Sequence, residues 1–306
     1  MKAIISKIGN ISFPSKSLSW ASNSLLQPTP FLMENNIVRI YCGMRDQEGM
    51  SRIGYVDIDP SNPLKLVGLS KLPCLDIGGV GHFDENGVVP CAITKFNDQF
   101  ALYYAGYQQG KSVRFFAYSG LAMSWDGVNF NRHQKVPVLE RSDDEMIFRV
   151  IHSILPEKNG WRVWYGAGNH FSVGEKKTLP TYNIYTMYSE DALNYPAKGH
   201  LALEAKGEEY RVGRPFVFKY KKEYLMFYGF GSEKEAYKIG LAKSKNGIEW
   251  ERIDSSVKFE NGFDSWDDKM QAYPSLVEVN GRFLFFYNGN NYGIDGLCCA
   301  SLSIED

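Results

Sequence analysis

An aromatic motif that recurs five times at a nearly constant interval constrains the fold of this 306-residue chain more than any other feature. Each copy is an apolar run that ends in a tyrosine followed by a small residue. The copies are RIYCG, ALYYAG, RVWYGAG, LMFYGFG and LFFYNGN, and their tyrosines are Tyr41, Tyr104, Tyr165, Tyr228 and Tyr287. The tyrosines are separated by 63, 61, 63 and 59 residues. Because self-similarity at a fixed period indicates a repeat architecture, the chain is predicted to contain five similar units.

Further apolar runs around each motif predict four strands per unit. Runs such as TPFLME and RPFVFKY precede the motif, and runs such as RIGYVDID and YKIGLAKS follow it. Turns such as SWDGVNF contain the Asp-Gly or Asn-Gly pair that suits a tight hairpin into a fourth strand. Four antiparallel strands repeated five times predict an all-β, five-bladed β-propeller that occupies residues 1–306 as a single domain. The last unit is one strand short, and we expect the N-terminal segment KAIISKIGNIS to supply it.

Composition excludes several other classes of protein. The chain has 34 Lys and Arg residues against 35 Asp and Glu residues, so no overall field favours nucleic acid or an acidic membrane surface. Neither a signal peptide nor an apolar run long enough to span a membrane is recognisable, which predicts a soluble cytoplasmic protein. The five cysteines lack CxxC spacing and argue against a disulfide framework or a zinc site. We therefore predict no metal and no cofactor, and the oligomeric state stays open.

The predicted topology separates the polar residues by face. The start of the first strand and the end of the second strand of each blade lie on the same face of the disc, where loops on a rigid scaffold commonly carry function. The acidic candidates on this face include the adjacent pair in GHFDENGVVP. The candidates for the site are Asp84, Glu85, Glu209, Arg45, Asp46, His152, Arg211, Arg214, Asp268, Tyr273, Asn288 and Asn290.

Each candidate also has a purely structural interpretation. Asp84 or Glu85 could cap a turn or pair with an arginine of a neighbouring blade. Arg45 and Asp46 could form an ion pair between blades. His152 lies inside the apolar run VIHSIL, where a hydrogen-bonded core histidine is as plausible as a ligand-binding one. An aromatic ring such as that of Tyr273 could serve packing alone, or could provide the platform on which the C–H face of a sugar lies.

The same strings resemble a known group of proteins. The five-bladed repeat is similar to the catalytic fold shared by glycoside hydrolase families 32, 43 and 130. The strings RDQEGMSRIGYVDID, FDENGVVP, EEYRVGRP, WDDKMQAYP and YNGNNYGIDG resemble, over nearly the whole chain, an uncharacterised bacterial group often encoded among surface-polysaccharide genes. The match to the hydrolase pattern is incomplete, because Gln27 or Thr29 stands where those families have an Asp, and Gly213 stands where they have their acid Glu.

This resemblance implies a carbohydrate-active enzyme that hydrolyses or transfers a glycosyl group. Glycosidases need a carboxylic acid to protonate the leaving oxygen and a second carboxylate, about 5 Å away for retention or about 6.5–9.5 Å for inversion. We predict Glu209 as the acid and Asp84 or Glu85 as the nucleophile or base. Arg211 and Arg214 are then expected to bind an acidic or phosphorylated group of the substrate, or phosphate itself in a glycoside phosphorylase.

The alternative is a propeller that binds a surface glycan without cleaving it. The missing hydrolase carboxylates favour this interpretation, and the arginines, Tyr273, Asn288 and Asn290 suit hydrogen bonding and stacking equally well. In either case the expected partner is a carbohydrate small molecule or oligosaccharide, and neither nucleic acid nor a membrane. Because the chain lacks GxxxxGK[ST] and GxSxG motifs, a P-loop nucleotide site and a serine-hydrolase site are not predicted.

Overall fold

The computed structural model describes residues 1–14, 16–174 and 178–305, and nearly all of the regular structure is β-strand. These ranges contain one 3-10 helix, Asp254–Ser256, and one short helical turn, Asn290–Gly293. The predicted all-β class is confirmed. Within the described ranges, no helix has the length and apolar character of a transmembrane span.

After an initial strand β1 (Lys2–Ser12), the strands follow one another in five antiparallel units. Short parallel bridges join units 2, 3 and 4 into one 12-stranded sheet, beside sheets of four and five strands. Unit 1 contains β2 (Asn23–Leu32), β3 (Val38–Arg45), β4 (Ser51–Asp59) and β5 (Asn62–Leu69). Unit 2 contains β6 (Val88–Phe96), β7 (Gln99–Gln109), β8 (Phe115–Ser124) and β9 (Asn131–Arg132). Unit 3 contains β10 (Phe148–Glu157), β11 (Gly160–Val173), β12 (Thr178–Ser189) and β13 (His200–Leu203). Unit 4 contains β14 (Arg211–Tyr220), β15 (Glu223–Gly231), β16 (Lys238–Ser244) and β17 (Glu251–Arg252).

Unit 5 takes strands from both ends of the chain. It contains β19 (Ala272–Val279), β20 (Arg282–Asn288) and β21 (Gly296–Glu305), and β1 pairs antiparallel with β21 along its whole length. A short strand, β18 (Val257–Glu260), pairs in parallel with the outer edge of β1. The predicted completion of the last unit by the N-terminal strand is confirmed. The first strands of the five units contact one another in cyclic order, with β19 returning to β2, so the units surround a common axis.

Every unit has a β-bulge at the same place in its first strand. The pairing between first and second strands shifts register at Gln27, Cys91, His152, Arg214 and Tyr273, which we call the bulge ring. Gln27, Arg214 and Tyr273 each precede a proline and have φ angles of 52°, 55° and 58°. A bulge turns a side chain away from its regular direction. The repeated bulge therefore changes the direction of one side chain per unit close to the common axis.

The tyrosines of the sequence motif are completely buried and hold the units together from inside. In four units the hydroxyl group donates to a carboxylate: Tyr104 to Asp84 (3.0 Å), Tyr165 to Glu145 (2.8 Å), Tyr228 to Asp254 (2.5 Å) and Tyr287 to Asp267 (2.7 Å). Each carboxylate also pairs with a cation, namely Arg132, Arg149, Arg252 and Lys7 respectively. In unit 1, Tyr41 donates to the Gly127 carbonyl of unit 2 instead (2.6 Å). These tyrosine anchors satisfy hydroxyl groups that would otherwise be costly to bury.

Candidate functional site

A cavity of about 630 Å³ opens on the face where the first strands begin and the second strands end. Four members of its lining are arginines, namely Arg45, Arg114, Arg211 and Arg214. Among the described lining residues, Glu48 is the one carboxylate. Since four cationic side chains face a single acidic one, the cavity attracts negative charge more than neutral solutes.

Four of the five bulge-ring residues line this cavity, namely Gln27, His152, Arg214 and Tyr273. Arg214 is the most deeply placed cation, with 4% of its surface exposed. Its guanidinium donates to the Cys91 carbonyl (2.7 Å) and to Thr29 Oγ1 (3.2 Å), which belong to units 2 and 1. Arg214 therefore joins three units at the base of the cavity.

Arg214 has hydrogen-bonding capacity to spare. Its Nε atom is buried and has no hydrogen-bond partner among the described residues. Burial lowers the pKa of the guanidinium below its usual value, because desolvation opposes the charged form. A guanidinium nevertheless stays charged at neutral pH. The base of the cavity thus holds a buried positive charge with one unused donor.

Arg211 lies at the start of β14 and lines the cavity together with Arg214. Its guanidinium donates to the Tyr210 hydroxyl (2.7 Å) and lies over the Tyr237 ring at 4.0 Å from the centroid. The two contacts fix the direction of the planar group. Its Nε atom is also buried and unpaired within the described part of the chain. A second donor in a residue that lines the cavity is therefore without a partner in the described structure.

His152 supplies a third unpaired nitrogen. Its Nδ1 atom is buried and has no hydrogen-bond partner in residues 1–14, 16–174 or 178–305. Burial, and to a lesser degree the charge of Arg214, lower the pKa of the imidazole well below its usual value. His152 is therefore neutral at pH 7, and its ring can donate to or accept from a ligand according to its tautomer.

Tyrosine rings form one wall of the cavity. Tyr182, Tyr237, Tyr273 and Tyr292 line it together, and the Tyr182 and Tyr237 hydroxyl groups are hydrogen-bonded to each other. The Tyr273 and Tyr292 rings are stacked with centroids 5.9 Å apart. Burial raises the pKa of Tyr237 to about 12, so its hydroxyl is neutral at pH 7. The wall offers both flat apolar faces and hydroxyl groups, which is the combination that sugar rings use.

The three carboxylates predicted to be catalytic do not line the cavity in the described structure. Asp84 is completely buried, pairs with Arg132 (2.7 Å) and accepts from Tyr104. Glu85 accepts from the backbone N–H of Gly81 (2.8 Å). Glu209 forms a two-pronged ion pair with Arg252 (2.8 and 2.9 Å). These contacts engage all three carboxylates away from the cavity, although Asp84 Oδ1 is buried without a hydrogen-bond partner among the described residues. Their catalytic role stays a prediction.

The structure places five of the nine residues predicted to bind substrate in the cavity lining. Those that line the cavity are Arg45, His152, Arg211, Arg214 and Tyr273. The remaining four do not line it. Asp46 pairs with Arg52 (2.7 Å), Asn290 donates to Asp268 (2.7 Å), and Asn288 accepts from the Gln27 N–H (2.8 Å) and donates to the Leu25 carbonyl (2.8 Å). Asn288 therefore fastens unit 5 to unit 1.

The sequence prediction missed several cavity residues. Glu48, Arg114 and Tyr237 lie in loops between second and third strands, and Tyr182 lies within the third strand β12. For the three loop residues a signal was available, because those loops begin where the second strands end and so lie on the same face. For Tyr182 the alternation of the third strand gave no indication of its position.

The imidazole of His152 predicts a specific pH dependence of stability. The pKa of His152 is lower in the folded protein than its unfolded value of about 6.5, so between these two pH values the unfolded state binds more protons than the folded state. The free energy of unfolding is therefore expected to decrease as the pH falls below about 6.5. The loss is expected to approach about 1.4 kcal/mol per pH unit. In urea unfolding at several pH values, His152→Gln should remove this slope, whereas substitution of the exposed His200 by Gln should retain it. An unchanged slope in His152→Gln would contradict the assignment.

Comparison with known proteins identifies the fold. No family model matches the chain. An uncharacterised protein of Mycobacterium tuberculosis (strain ATCC 25618 / H37Rv) is 28% identical over 297 residues, or 97% of this chain and 98% of that protein. The solved structure of an alpha-L-arabinofuranosidase from Lactobacillus brevis has a TM-score of 0.70 at 9% identity, over 92% of this chain and 91% of that enzyme. A thermostable family-43 glycoside hydrolase has a TM-score of 0.67 at 16% identity, over 93% and 91%. This is the fold of the propeller glycoside hydrolases.

The shared fold supports the prediction that the chain has the fold of a carbohydrate-active enzyme. At this level of identity, however, it does not show which residues bind substrate or act in catalysis. The site must therefore be interpreted from its own lining. The hydrolase chemistry described above requires two carboxylates on either side of the scissile bond. In this cavity the described lining instead has four arginines, one histidine, a tyrosine wall and a single carboxylate, Glu48.

Proposed function

We propose that residues 1–306 form one five-bladed propeller domain whose central cavity binds a saccharide carrying a negatively charged group. The observation that carries this proposal is that three residues with a buried, unpaired nitrogen, Arg211, Arg214 and His152, line a single cavity. A buried donor without a partner costs about 1–3 kcal/mol, and an anionic oxygen placed between such donors recovers that energy. A carboxylate or phosphate group of a sugar provides such oxygens.

The tyrosine wall supports a sugar as the carrier of that charge. An aromatic ring offers its face to the C–H groups of a pyranose, and the hydroxyl groups of Tyr182 and Tyr237 can hydrogen-bond the ring substituents. A cavity of about 630 Å³ lies within the usual range of small-molecule sites, which is about 300–1,000 Å³. The preferred ligand is therefore the acidic or phosphorylated unit of a surface-type glycan or its precursor.

The position of the carboxylates favours recognition over two-carboxylate hydrolysis. Asp84 and Glu209 already share ion pairs with Arg132 and Arg252, and neither is among the described residues that line the cavity. We assign them to the support of the fold. Breaking either pair in order to act on a substrate would leave a poorly compensated charge on the partner arginine.

Glu48 supports a second candidate function, cleavage of a glycosidic bond by phosphate. A phosphorylase needs only one carboxylic acid to protonate the leaving oxygen when phosphate attacks, and arginines are suited to hold that phosphate. Glu48 is the carboxylate that lines the described cavity. Formation of a glycosyl phosphate, with release of the leaving alcohol, from a panel of glycosides and inorganic phosphate would select this function if it is lost in Glu48→Gln. Absence of turnover with retained binding would select recognition alone.

Arg211→Gln is expected to weaken binding of an acidic sugar by about 10–100-fold, because one hydrogen bond to a charged group contributes about 1.5–3 kcal/mol. Isothermal titration calorimetry with methyl glycosides of a hexuronic acid, with a hexose phosphate and with the neutral hexose measures this effect. The control variant is Arg282→Gln, which removes an exposed arginine from the start of β20 and should bind like the parent.

Two outcomes of this titration would contradict the proposal. If neither the acidic nor the neutral sugars bind, the cavity is not a saccharide site. If the neutral hexose binds as tightly as the hexuronic acid, the charge of the cavity does not select the ligand. Preference for the phosphorylated sugar over the carboxylated one, or the reverse, would identify the anionic group.

A further inference from the structure

The turn between β8 and β9 holds an exposed tryptophan that the fold does not require. Trp125 is 74% exposed, although it lies between two residues that are fixed by hydrogen bonds. Ser124 Oγ accepts from the Gly127 N–H (3.0 Å), and Asp126 Oδ1 accepts from the Val128 N–H (2.8 Å). The backbone that carries the indole is therefore well ordered, while the indole itself lies at the surface.

The equivalent turns of units 3 and 4 show that tryptophan is unnecessary at this position. In unit 3 the Ser189 and Asp191 side chains make the same contacts, and in unit 4 Ser244 and Asn246 do so. The residue between each pair is Glu190 in unit 3 and Lys245 in unit 4. Three units thus build the same turn with three different side chains. The apolar surface of Trp125 has no role in forming the turn.

Trp125 borders a groove of about 540 Å³ with hydrogen-bonding groups around it. Gln99, Asn131 and His133 line the groove, and within the described ranges their side chains have no hydrogen-bond partner. A flat apolar ring beside uncommitted amide and imidazole groups matches the two kinds of surface that a sugar presents.

The charged groups of the groove already have partners within the described part of the protein, and only Arg132 is paired with an opposite charge. Asp126 accepts hydrogen bonds from the Ser124 hydroxyl (2.8 Å) and from the Asn129 side-chain amide (2.8 Å), in addition to the backbone. Arg132 pairs with the buried carboxylate of Asp84 (2.7 Å) and donates to the Asp76 carbonyl (2.5 Å). An anionic ligand would meet the uncompensated negative charge of Asp126 and an arginine that is already paired, so the lining suits an uncharged ligand rich in hydroxyl groups better than an acidic one.

The groove and the central cavity lie on opposite faces. Gln99 begins β7 and Ser124 ends β8, whereas the cavity lies where β6 begins and β7 ends. We infer that the Trp125 groove is a second carbohydrate-binding site, one that takes a neutral oligosaccharide by stacking a sugar ring on the indole. It rests on the groove alone and does not depend on what the central cavity binds.

Two-dimensional ¹H–¹⁵N NMR of the full chain tests this inference. The indole N–H signal that disappears in Trp125→Phe identifies the residue, and neutral oligosaccharides of glucose, xylose and mannose are then titrated to millimolar concentration. We expect at least one of them to shift this signal saturably. Affinity electrophoresis through a gel containing the matching neutral polysaccharide should show at least a tenfold loss of affinity in Trp125→Ala, a difference of about 1.4 kcal/mol.

Lys245→Ala provides the matched control, because it changes the equivalent turn position of unit 4 and should migrate like the parent. Trp125 is exposed, so its removal should leave the free energy of unfolding within about 0.5 kcal/mol. The inference is overturned if none of the oligosaccharides moves the Trp125 signal, or if Trp125→Ala retains full affinity. It is equally overturned if the groove binds acidic sugars or peptides in preference to neutral sugars.

Discussion

Asp84→Ala is expected to destabilise the protein by about 3 kcal/mol, the largest stability effect that we predict for a single substitution. Asp84 is completely buried between the Arg132 guanidinium and the Tyr104 hydroxyl. Removing its carboxylate leaves Arg132, which is only 20% exposed, without its counter-charge and leaves a buried hydroxyl without its acceptor. Urea unfolding at pH 7 measures the change in the free energy of unfolding.

Two companion variants make the Asp84 result interpretable. Asp84→Asn keeps one acceptor oxygen and should lose less stability, which provides a folded protein if the alanine variant does not fold. Asp98→Ala removes an exposed carboxylate from the turn between β6 and β7 and should change stability by less than about 0.5 kcal/mol. If Asp84→Asn were as stable as the parent but lost glycoside turnover, Asp84 would be a catalytic group and our structural assignment would fail.

Arg214→Met is expected to weaken binding of an acidic sugar by at least about 100-fold, the largest binding effect that we predict. Arg214 is the deepest cation in the cavity, and its unpaired Nε atom adds a charge-assisted hydrogen bond of about 1.5–3 kcal/mol to the attraction between the charges. Titration calorimetry with a hexuronic acid glycoside measures the loss. Affinity for the neutral hexose should fall much less.

The effect of Arg214→Met on stability is expected to be smaller than that of Asp84→Ala. The substitution removes the hydrogen bonds to the Cys91 carbonyl and to Thr29, but it also removes a buried charge without a carboxylate partner in the described ranges. These two effects oppose each other, because desolvation of an uncompensated charge costs several kcal/mol. Undiminished affinity for the acidic sugar in a folded Arg214→Met protein would remove the basis for anion recognition.

The repeat in the sequence predicts the fold well because every unit buries a tyrosine hydroxyl group that must be hydrogen-bonded. Each motif tyrosine is completely buried, and its hydroxyl group needs an acceptor that the neighbouring structure supplies. A need that recurs in every unit leaves a period in the sequence. The antiparallel pairing of β1 with β21 also follows from the sequence, because a unit with three strands would expose a long edge.

The site is less predictable, because the sequence does not show in which direction a carboxylate side chain points. Along a strand, a shift of one residue moves a side chain to the opposite face, and the bulges introduce such shifts in every unit. The prolines after Gln27, Arg214 and Tyr273 hint at three of the bulges, whereas His152 lies in a plain apolar run. Asp84 and Glu209 lie in loops before β6 and β14, where no strand alternation fixes the direction of a side chain. They were predicted to face the channel, and the structure shows them paired with Arg132 and Arg252.

The joining of residues 2–12 to residues 296–305 has a consequence for synthesis on the ribosome. Strand β1 leaves the ribosome before its antiparallel partner β21, so it waits while all the residues between the two strands are translated. The long segment between β1 and β21 must bring its two ends together before their pairing contributes any stability. The loss of chain entropy in this closure makes the pairing of β1 with β21 slow. During that wait the unpaired edge is open to other polypeptides, so nascent protein is expected to be the form most prone to aggregation and most in need of a chaperone.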